Sequence, residues 1–237
     1  MAVTISSTVT KGQTPSGTTS TTASSITVAS GQSLVLGVVT DAIARTVSSA
    51  VFNSGAQSFS LVDTQNQGSP GCRCEVWEIA SPTAGTGTVT VNVNTSGLFA
   101  FIVAVVDGAD AGASYRRDAV TTSGNSTTPS LTITSATNDL AIAFIGNINT
   151  TSTATADASP VSQVAVVTSG TGISNVRMWL LQETGAASTS PSGVYGATRD
   201  WAAVGFNLNV LPAASGGGGG RLNRARRVAS WYMTNGR

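Results

Sequence analysis

The sequence predicts an all-β protein built as a two-sheet β-sandwich. Short runs rich in Val, Ile and Thr recur along the chain, and Gly, Ser, Asn and Pro separate them. Such runs are typical of strands joined by turns. No apolar repeat of 3.6 residues persists in the body of the chain for the length of a helix. The 237 residues, 41% of them hydrophobic, suffice for one large core without disulfides or metals.

The runs that predict strands are apolar or β-branched and end at turn residues. Gly87–Val93 alternates Val with Thr or Asn, which predicts one buried and one solvated face. Leu98–Val106 is almost wholly apolar, which predicts a central strand covered on both sides. The remaining predicted strands are Ser25–Ala29, Ser33–Thr40, Thr46–Phe52, Ser58–Val62, Arg73–Ile79, Ser130–Thr134, Leu140–Ile145, Gln163–Thr168, Val176–Gln182 and Trp201–Asn209.

Turn residues predict the connections between these strands. Gly, Asn, Pro and Ser supply the backbone angles that turns need. The predicted loops are Asn53–Gly55, Gln65–Gly71, Ser81–Gly85, Asp107–Gly112, Ser123–Thr128, Asn147–Pro160 and Gly185–Pro191.

The two halves of the chain resemble each other at a spacing of about 105 residues. The matching segments are Ser25–Ser30 with Ser130–Ser135, Leu34–Leu36 with Leu140–Ile142, Arg73–Trp77 with Arg177–Trp179, and Phe99–Phe101 with Trp201–Ala203. Two similar halves that each bury one face would be satisfied by two stacked sheets. The alternative is that any strand rich in Thr and Val resembles any other.

Composition divides the chain into four segments. Residues 1–24 are strand-like at Val3–Thr10 and then low in complexity, which predicts an N-terminal arm that pairs with a neighbour or a frayed terminus. The sandwich is expected over 25–212 and a glycine-rich linker over 213–220. A basic and aromatic tail is expected over 221–237.

Charge is scarce and unevenly distributed. Charged residues make up 10% of the chain, against roughly 25% in ordinary soluble domains. The tail carries five arginines and no acid, which leaves seven basic and eleven acidic residues in the rest. No secretory leader and no apolar run of about 18 residues is present. These features predict synthesis in a host cytoplasm and no membrane partner.

The residue types predict a protein that is not an enzyme and has no cofactor. Histidine is absent, so the commonest general base and zinc ligand is missing. Cys72 and Cys74 have no partner ligands, which favours small buried residues over a strained bridge or a metal site. Asp107 and Asp110 offer too few oxygens for calcium, which favours turn stabilisation. No catalytic or metal-ligating residue is therefore assigned.

Trp77, Trp179 and Trp201 fall inside predicted strands beside apolar neighbours. Core packing is the favoured interpretation, because large aromatic side chains dominate buried cores. The alternative is an exposed aromatic platform on which sugar rings stack.

Two segments carry candidate partner-binding residues. In the tail these are Arg221, Arg224, Arg226, Arg227, Trp231, Tyr232 and Met233. Arginines that pair with carboxylates or phosphates, next to aromatic anchors, favour a docking peptide for another subunit. Nucleic-acid contact is less favoured, because no binding motif accompanies the charge, and a tail without a role is the remaining alternative. In the body, Tyr115, Arg116 and Arg117 form either a second contact or a solvated loop.

The chain resembles the jelly-roll modules of phage virion proteins and of some bacterial surface proteins. The resemblance covers about residues 25–210 and is carried by Ser25–Gly31, Val76–Glu78, Phe101–Val105 and Asp200–Val204. It implies a jelly-roll-like sandwich with a structural, non-catalytic role. Gly216–Gly220 followed by an Arg-rich peptide resembles the ends of phage proteins that anchor onto a shell or tail.

The expected function is therefore that of a capsid decoration (cement) protein located in the virion. Its expected partners are the major capsid protein or other virion subunits, bound as a homo-oligomer or in a symmetric array. One alternative is a tail-fibre module that recognises a surface glycan. Another is a bacterial surface adhesin, which requires an export route that the sequence does not show.

Overall fold

The computed structural model describes residues 2–12, 18–23, 25–53, 56–68, 71–110, 112, 119–148, 154–156, 161–171 and 174–211. Over these ranges the chain forms strands and no α-helix, which confirms the all-β sandwich class. The described residues accordingly include no helix with the length and hydropathy to cross a membrane. The strands are β1 Thr4–Gly12, β2 Ser20–Thr22, β3 Ile26–Val28, β4 Ser33–Thr40, β5 Val47–Phe52, β6 Gln57–Ser58, β7 Ser60–Gln67, β8 Cys72–Ile79, β9 Gly85–Gly87, β10 Val89–Val93, β11 Phe99–Asp107, β12 Val120–Ser126, β13 Ile133–Thr134, β14 Leu140–Ile148, β15 Ala154–Ala156, β16 Ser162–Thr171, β17 Ser174–Thr184, β18 Ser188–Thr189, β19 Gly193–Tyr195 and β20 Arg199–Leu208.

Three large antiparallel sheets organise these strands. The first inner sheet has the order β1-β11-β4-β8-β7, and the second inner sheet has the order β12-β20-β14-β17-β16. The outer sheet, β2-β10-β5-β6, belongs to the first half of the chain. Three short pairs, β3-β9, β13-β18 and β15-β19, complete the structure of the described residues.

The sheets stack in layers, and each interface is an apolar core. Val35, Val39 and Ile102 of the first inner sheet pack against residues such as Ile142 and Phe144 of the second inner sheet. The opposite face of the first inner sheet packs under the outer sheet. The opposite face of the second inner sheet packs under β13 and the β15-β19 pair. The structure therefore has more layers than the two that the sequence predicts, because both faces of the central strands are apolar.

The halves of the chain share one topology. Matching β1, β4, β7, β8 and β11 with β12, β14, β16, β17 and β20 converts the order of the first inner sheet into that of the second. The same match relates β3-β9 to β13-β18 and β5-β10 to β15-β19. Backbone hydrogen bonds repeat as well: Val93 N donates to Thr19 O at 2.8 Å, and Tyr195 N donates to Thr127 O at 2.7 Å.

The inner sheets are related by a pseudo-two-fold axis that runs along their central strands. β1 of the first inner sheet lies against β16 of the second, while β7 lies against β12, so the edges are exchanged. The strand registers show that Leu36 of β4 corresponds to Ala143 of β14. Each of the two pairs with residues at corresponding positions on the two strands beside it. The similarity between the two halves of the sequence aligns Leu34 with Leu140, which differs from the structural match by one residue. A shift of one residue would assign each side chain of β14 to the wrong face of the strand.

The described part of the predicted N-terminal arm is built into the sheets. β1 pairs with β11 along the edge of the first inner sheet, and β2 pairs with β10 of the outer sheet. Ile5 and Val9 of β1 pack against the two cores that flank this sheet. Val3 N also donates to Asn138 O at 3.0 Å, which ties the start of the chain to the second half. The predicted linker and tail, 213–237, lie outside the described residues.

Three predicted loops contain strands that the sequence did not indicate. The short strand β15 lies within the predicted loop Asn147–Pro160, and β18 lies within the predicted loop Gly185–Pro191. The longest of the three is β12. β12, Val120–Ser126, occupies most of the predicted loop Ser123–Thr128 and pairs along its length with β20. Its sequence after Val120 is polar and contains Gly124, so it lacks the apolar alternation that marks a strand. As an edge strand it is held by its backbone ladder with β20, a non-local contact that local sequence does not reveal.

Candidate functional site

The residues that the sequence singled out for partner binding are not placed by the structure. Tyr115, Arg116 and Arg117 lie outside the described residues. So do the tail residues Arg221, Arg224, Arg226, Arg227, Trp231, Tyr232 and Met233. Their role remains a prediction from the sequence.

Cys72 and Cys74 are free thiols, and both are completely buried in the core between the inner sheets. Each Sγ lies 3.6 Å from a carbonyl oxygen of β14, that of Gly146 for Cys72 and that of Phe144 for Cys74. Burial raises the pKa of Cys72 to about 12, and burial likewise raises the pKa of Cys74. Both groups are therefore neutral packing residues at physiological pH.

The segment that contains Asp107 and Asp110 forms a turn. Asp110 Oδ1 accepts a hydrogen bond of 3.0 Å from Gly112 N, and Gly108 has a φ of 76°, in the left-handed region. Across the described ranges, no three residues of the types Cys, Asp and Glu lie close enough together to hold a metal ion.

None of the described tryptophans forms an exposed aromatic platform. Trp179 and Trp201 are buried under the outer layer of the second half, where the ring of Trp179 lies 4.4 Å from that of Tyr195. Trp77 is half-buried beside the core under the outer sheet. The favoured interpretation of these three residues as packing groups agrees with their positions.

Glu75 forms a buried network in the first half. Its side chain is 2% exposed and accepts from Arg73 Nε at 2.5 Å, from Val47 N at 3.1 Å and from Trp77 Nε1 at 3.1 Å. Three donors satisfy the carboxylate, as a buried charge requires. The sequence contained no signal for this network, because Val47 lies in a different sheet.

Asp139 forms a second buried network, at a different position in the second half. Its Oδ1 accepts from Val210 N at 2.8 Å, and its Oδ2 accepts from Asn207 Nδ2 at 2.7 Å. Asn207 Oδ1 accepts in turn from the hydroxyl of Ser135. Like Glu75, this carboxylate holds strands together through internal donors.

A small polar cavity of about 230 Å³ lies at one end of the second inner sheet, lined by Asn125, Ile148, Thr198, Arg199 and Asp200. Asp200 Oδ1 already accepts from Asn125 Nδ2 at 2.6 Å. Gln67 Nε2 of the first inner sheet lies 3.5 Å from the same oxygen. The carboxylate thus links the two inner sheets where their edges meet.

The outer sheet presents a neutral face to solvent. No residue of its strands is charged. The cross-strand register places one set of side chains on the solvent side. We call this set the neutral face; it consists of Ser20, Thr22, Ser49, Val51, Asn53, Ser58, Thr88, Thr90 and Asn92.

Polar side chains of the neutral face bond to one another across the strands. Thr22 Oγ1 lies 2.9 Å from Thr90 Oγ1. Asn92 Nδ2 donates to Ser49 Oγ at 2.8 Å, and Asn53 Nδ2 donates to Thr88 Oγ1 at 2.8 Å. Because these groups already have partners, covering the face leaves fewer unpaired donors and acceptors than a free polar surface would.

The second half repeats a smaller version of this face. The Ser130–Ser192 bridge occupies the place of the Thr22–Thr90 pair. Val194, on the next outward position, is 37% exposed. The neutral face and its smaller counterpart lie on the two outer sides of the stacked sheets, because the pseudo-two-fold axis exchanges the halves.

Comparison of the chain with protein-family models, with curated proteins and with solved structures gives no match.

Proposed function

We propose that this chain is a non-enzymatic structural protein of a virion, and specifically a capsid decoration (cement) protein. The observation that carries the proposal is the neutral face, in which six of the eight polar side chains are hydrogen-bonded in cross-strand pairs and whose strands carry no charge. An uncharged sheet surface whose polar groups are mostly paired suits packing against a protein subunit, because no ion has to be desolvated.

The buried polar groups support a scaffold role. The carboxylate of Glu75 accepts from the backbone of Val47 on β5 and from side chains of its own strand, and that of Asp139 accepts from the Asn207 side chain on β20 and from the Val210 backbone. Because both carboxylates are buried and hydrogen-bonded within the chain, they stabilise the sandwich and are not directed towards a substrate. The thiols of Cys72 and Cys74 also stabilise the sandwich, because they pack in its core as neutral groups.

The size of the neutral face determines the kind of contact it can make. Four strands about 4.8 Å apart and five residues of about 3.4 Å each give roughly 300 Å². A stable pairwise interface buries about 800 Å² on each partner. A single neutral face is therefore too small for a tight complex, and it would act through many identical contacts in a symmetric array. Additional contacts by the basic tail would raise the avidity.

A charge placed on the neutral face tests the proposal. Thr90→Lys and Asn92→Lys each put a cation on the solvent side of β10 without touching the core. Occupancy is measured by co-sedimentation and mass spectrometry of virus particles assembled, with and without this chain, from a major capsid protein of the same genome. We expect both variants to fold normally and to lose at least tenfold in occupancy.

Thr10→Lys, at an exposed position of β1, is the matched control, because it adds the same charge away from the neutral face. It should retain the occupancy of the unaltered chain. If this chain does not co-sediment with such particles at any ratio, the virion role is wrong. If the neutral-face variants bind as well as the control does, the neutral face is not the contact.

A further inference from the structure

The pseudo-two-fold axis allows the buried polar groups of the two halves to be compared position by position. In the first half, Thr40 and Arg73 are cross-strand partners, and Glu75 follows two residues later on β8. In the second half, Asn147 and Arg177 are the corresponding partners, and Trp179 takes the place of Glu75. The register of β14 with its other neighbour, β20, gives the same match.

The position of Glu75 lies under the outer layer in both halves. Val47, whose N–H donates to Glu75, pairs with Val93 of the outer sheet. The corresponding pair in the second half is Ala154 with Tyr195. In the second half, Asn147, Arg177, Trp179 and Tyr195 thus occupy the positions that Thr40, Arg73, Glu75 and Val93 occupy in the first.

The corresponding polar groups of the first half have hydrogen-bond partners, whereas four side-chain atoms of Asn147, Trp179 and Tyr195 in the second half have none. Thr40 Oγ1 donates within the chain, with Ala42 O and Arg45 O each 3.0 Å away. By contrast, Asn147 Nδ2, Asn147 Oδ1, Trp179 Nε1 and Tyr195 Oη have no hydrogen-bond partner. Their residues are 0%, 0% and 2% exposed. More than nine in ten buried polar groups in proteins are paired, so four unpaired atoms in one layer require an explanation.

These atoms belong to one patch. Asn147 and Trp179 lie on the same side of the second inner sheet, on neighbouring strands and two residues apart in register. The Trp179 and Tyr195 rings are 4.4 Å apart. Arg177, the cross-strand partner of Asn147, has its Nε bonded to Thr168 Oγ1 at 3.0 Å. Burial lowers the pKa of Arg177 and raises that of Tyr195, so the patch holds a partly desolvated cation beside a neutral phenol.

We propose that the patch formed by Asn147, Arg177, Trp179 and Tyr195 binds a small hydroxycarboxylate, whose carboxylate takes the role that Glu75 has in the first half. Trp179 Nε1, Tyr195 Oη and Asn147 Nδ2 donate to the carboxylate, which is also attracted by the positive charge of Arg177. Asn147 Oδ1 can only accept, so it requires a donor, which the hydroxyl group supplies. A neutral polyol lacks the charge, and acetate lacks the hydroxyl.

Thermal unfolding of the full chain with glycolate, acetate or glycerol tests the proposal, with sodium chloride as the reference at equal ionic strength. A ligand that binds only the folded state raises the midpoint temperature by mass action. We expect glycolate to raise it by several degrees in a saturable manner, acetate to raise it less, and glycerol at the same millimolar concentration to leave it unchanged. Isothermal titration calorimetry should give one glycolate per chain.

Tyr195→Phe and Asn147→Leu are the test variants, since each removes unpaired polar atoms and keeps side-chain volume. Both should fold and lose the glycolate shift. Trp77→Phe is the matched control, because it removes the tryptophan donor of the first-half network and should keep the shift. Ordered water alone in the patch predicts no specific shift with any compound, and that result overturns the proposal. So does an equal glycolate shift in Tyr195→Phe. Neither result bears on the virion role, which is tested with particles.

Discussion

The ring of Phe144 lies directly over the α-carbon of Gly37, at the middle of the interface between the inner sheets. A β-carbon at position 37 would collide with three atoms of this ring. Gly37 and Phe144 occupy matching positions on β4 and β14, so their contact lies on the pseudo-two-fold axis. The absence of a side chain at one member of the pair allows the other to be large. At their shared core the two halves therefore differ in a complementary way.

Gly37→Ala should destabilise the protein by about 2 kcal/mol, because close-packed cores accommodate an added methyl only by distortion. The value is measured by urea unfolding followed by fluorescence. Phe144→Leu alone should cost a similar amount through the cavity it leaves. In the double variant the smaller side chain makes room for the new methyl, so we expect a coupling energy of at least about 1 kcal/mol. Strictly additive losses would show that the ring does not limit this position.

Glu75→Gln should destabilise the fold by about 3 kcal/mol, since it leaves the guanidinium of Arg73 without its counter-charge in a site where both side chains are largely buried. Asp107→Asn, at the exposed end of β11, is the control and should change stability by less than about 0.5 kcal/mol. Both values come from urea unfolding at pH 7. A loss for Glu75→Gln as small as that of the control would show that the ion pair does not stabilise the fold.

The fold class and most strands followed from local patterns. Ser33–Thr40 was predicted with its observed bounds, because an apolar run between the turn at Gly31 and a polar loop marks a buried strand. Where the pattern is polar, as in β12, pairing with a distant strand decides the structure, and sequence alone did not reveal it. The number of layers was also missed. Both faces of β4 and β11 are apolar, so the sequence shows that both faces are covered. It does not show which elements cover them.

The candidate sites were less accessible to sequence reasoning. The solvated side of β10, Thr90 and Asn92, was expected from its alternation with valines. The other residues of the neutral face could not be predicted, because the register of β10 with β2 and β5 depends on contacts between segments far apart in sequence. The same holds for the unpaired atoms of Asn147 and Tyr195, which come together only through the stacking of β19 on β17.

Truncation after Pro212 should leave the stability of the fold unchanged within about 0.5 kcal/mol. The last strand, β20, ends at Leu208, and the final described backbone bond joins Leu211 N to Gly108 O at 2.9 Å. The variant is compared with the full chain by urea unfolding and by binding to particles. We expect weaker binding, because the arginines and aromatic residues of the tail are lost. A truncated chain that fails to fold would show that residues beyond 212 are part of the sandwich.

The thiols of Cys72 and Cys74 should make the protein less stable as the pH rises above 9. In the unfolded chain each thiol ionises near its ordinary pKa of 9.0, whereas burial raises the folded pKa of Cys72 to about 12 and also raises that of Cys74. Between these values the unfolded state binds fewer protons than the folded state, so the free energy of unfolding falls with increasing pH. The stabilisation is complete below pH 9 and is lost towards pH 12. At pH 10 the loss should be about 1.4 kcal/mol for each thiol. Urea unfolding at pH 8 and pH 10 measures it, and the Cys72→Ala/Cys74→Ala variant reports the contribution of all other groups. If the variant loses as much stability as the unaltered chain over this range, the thiols ionise equally in both states and their burial is not maintained in solution.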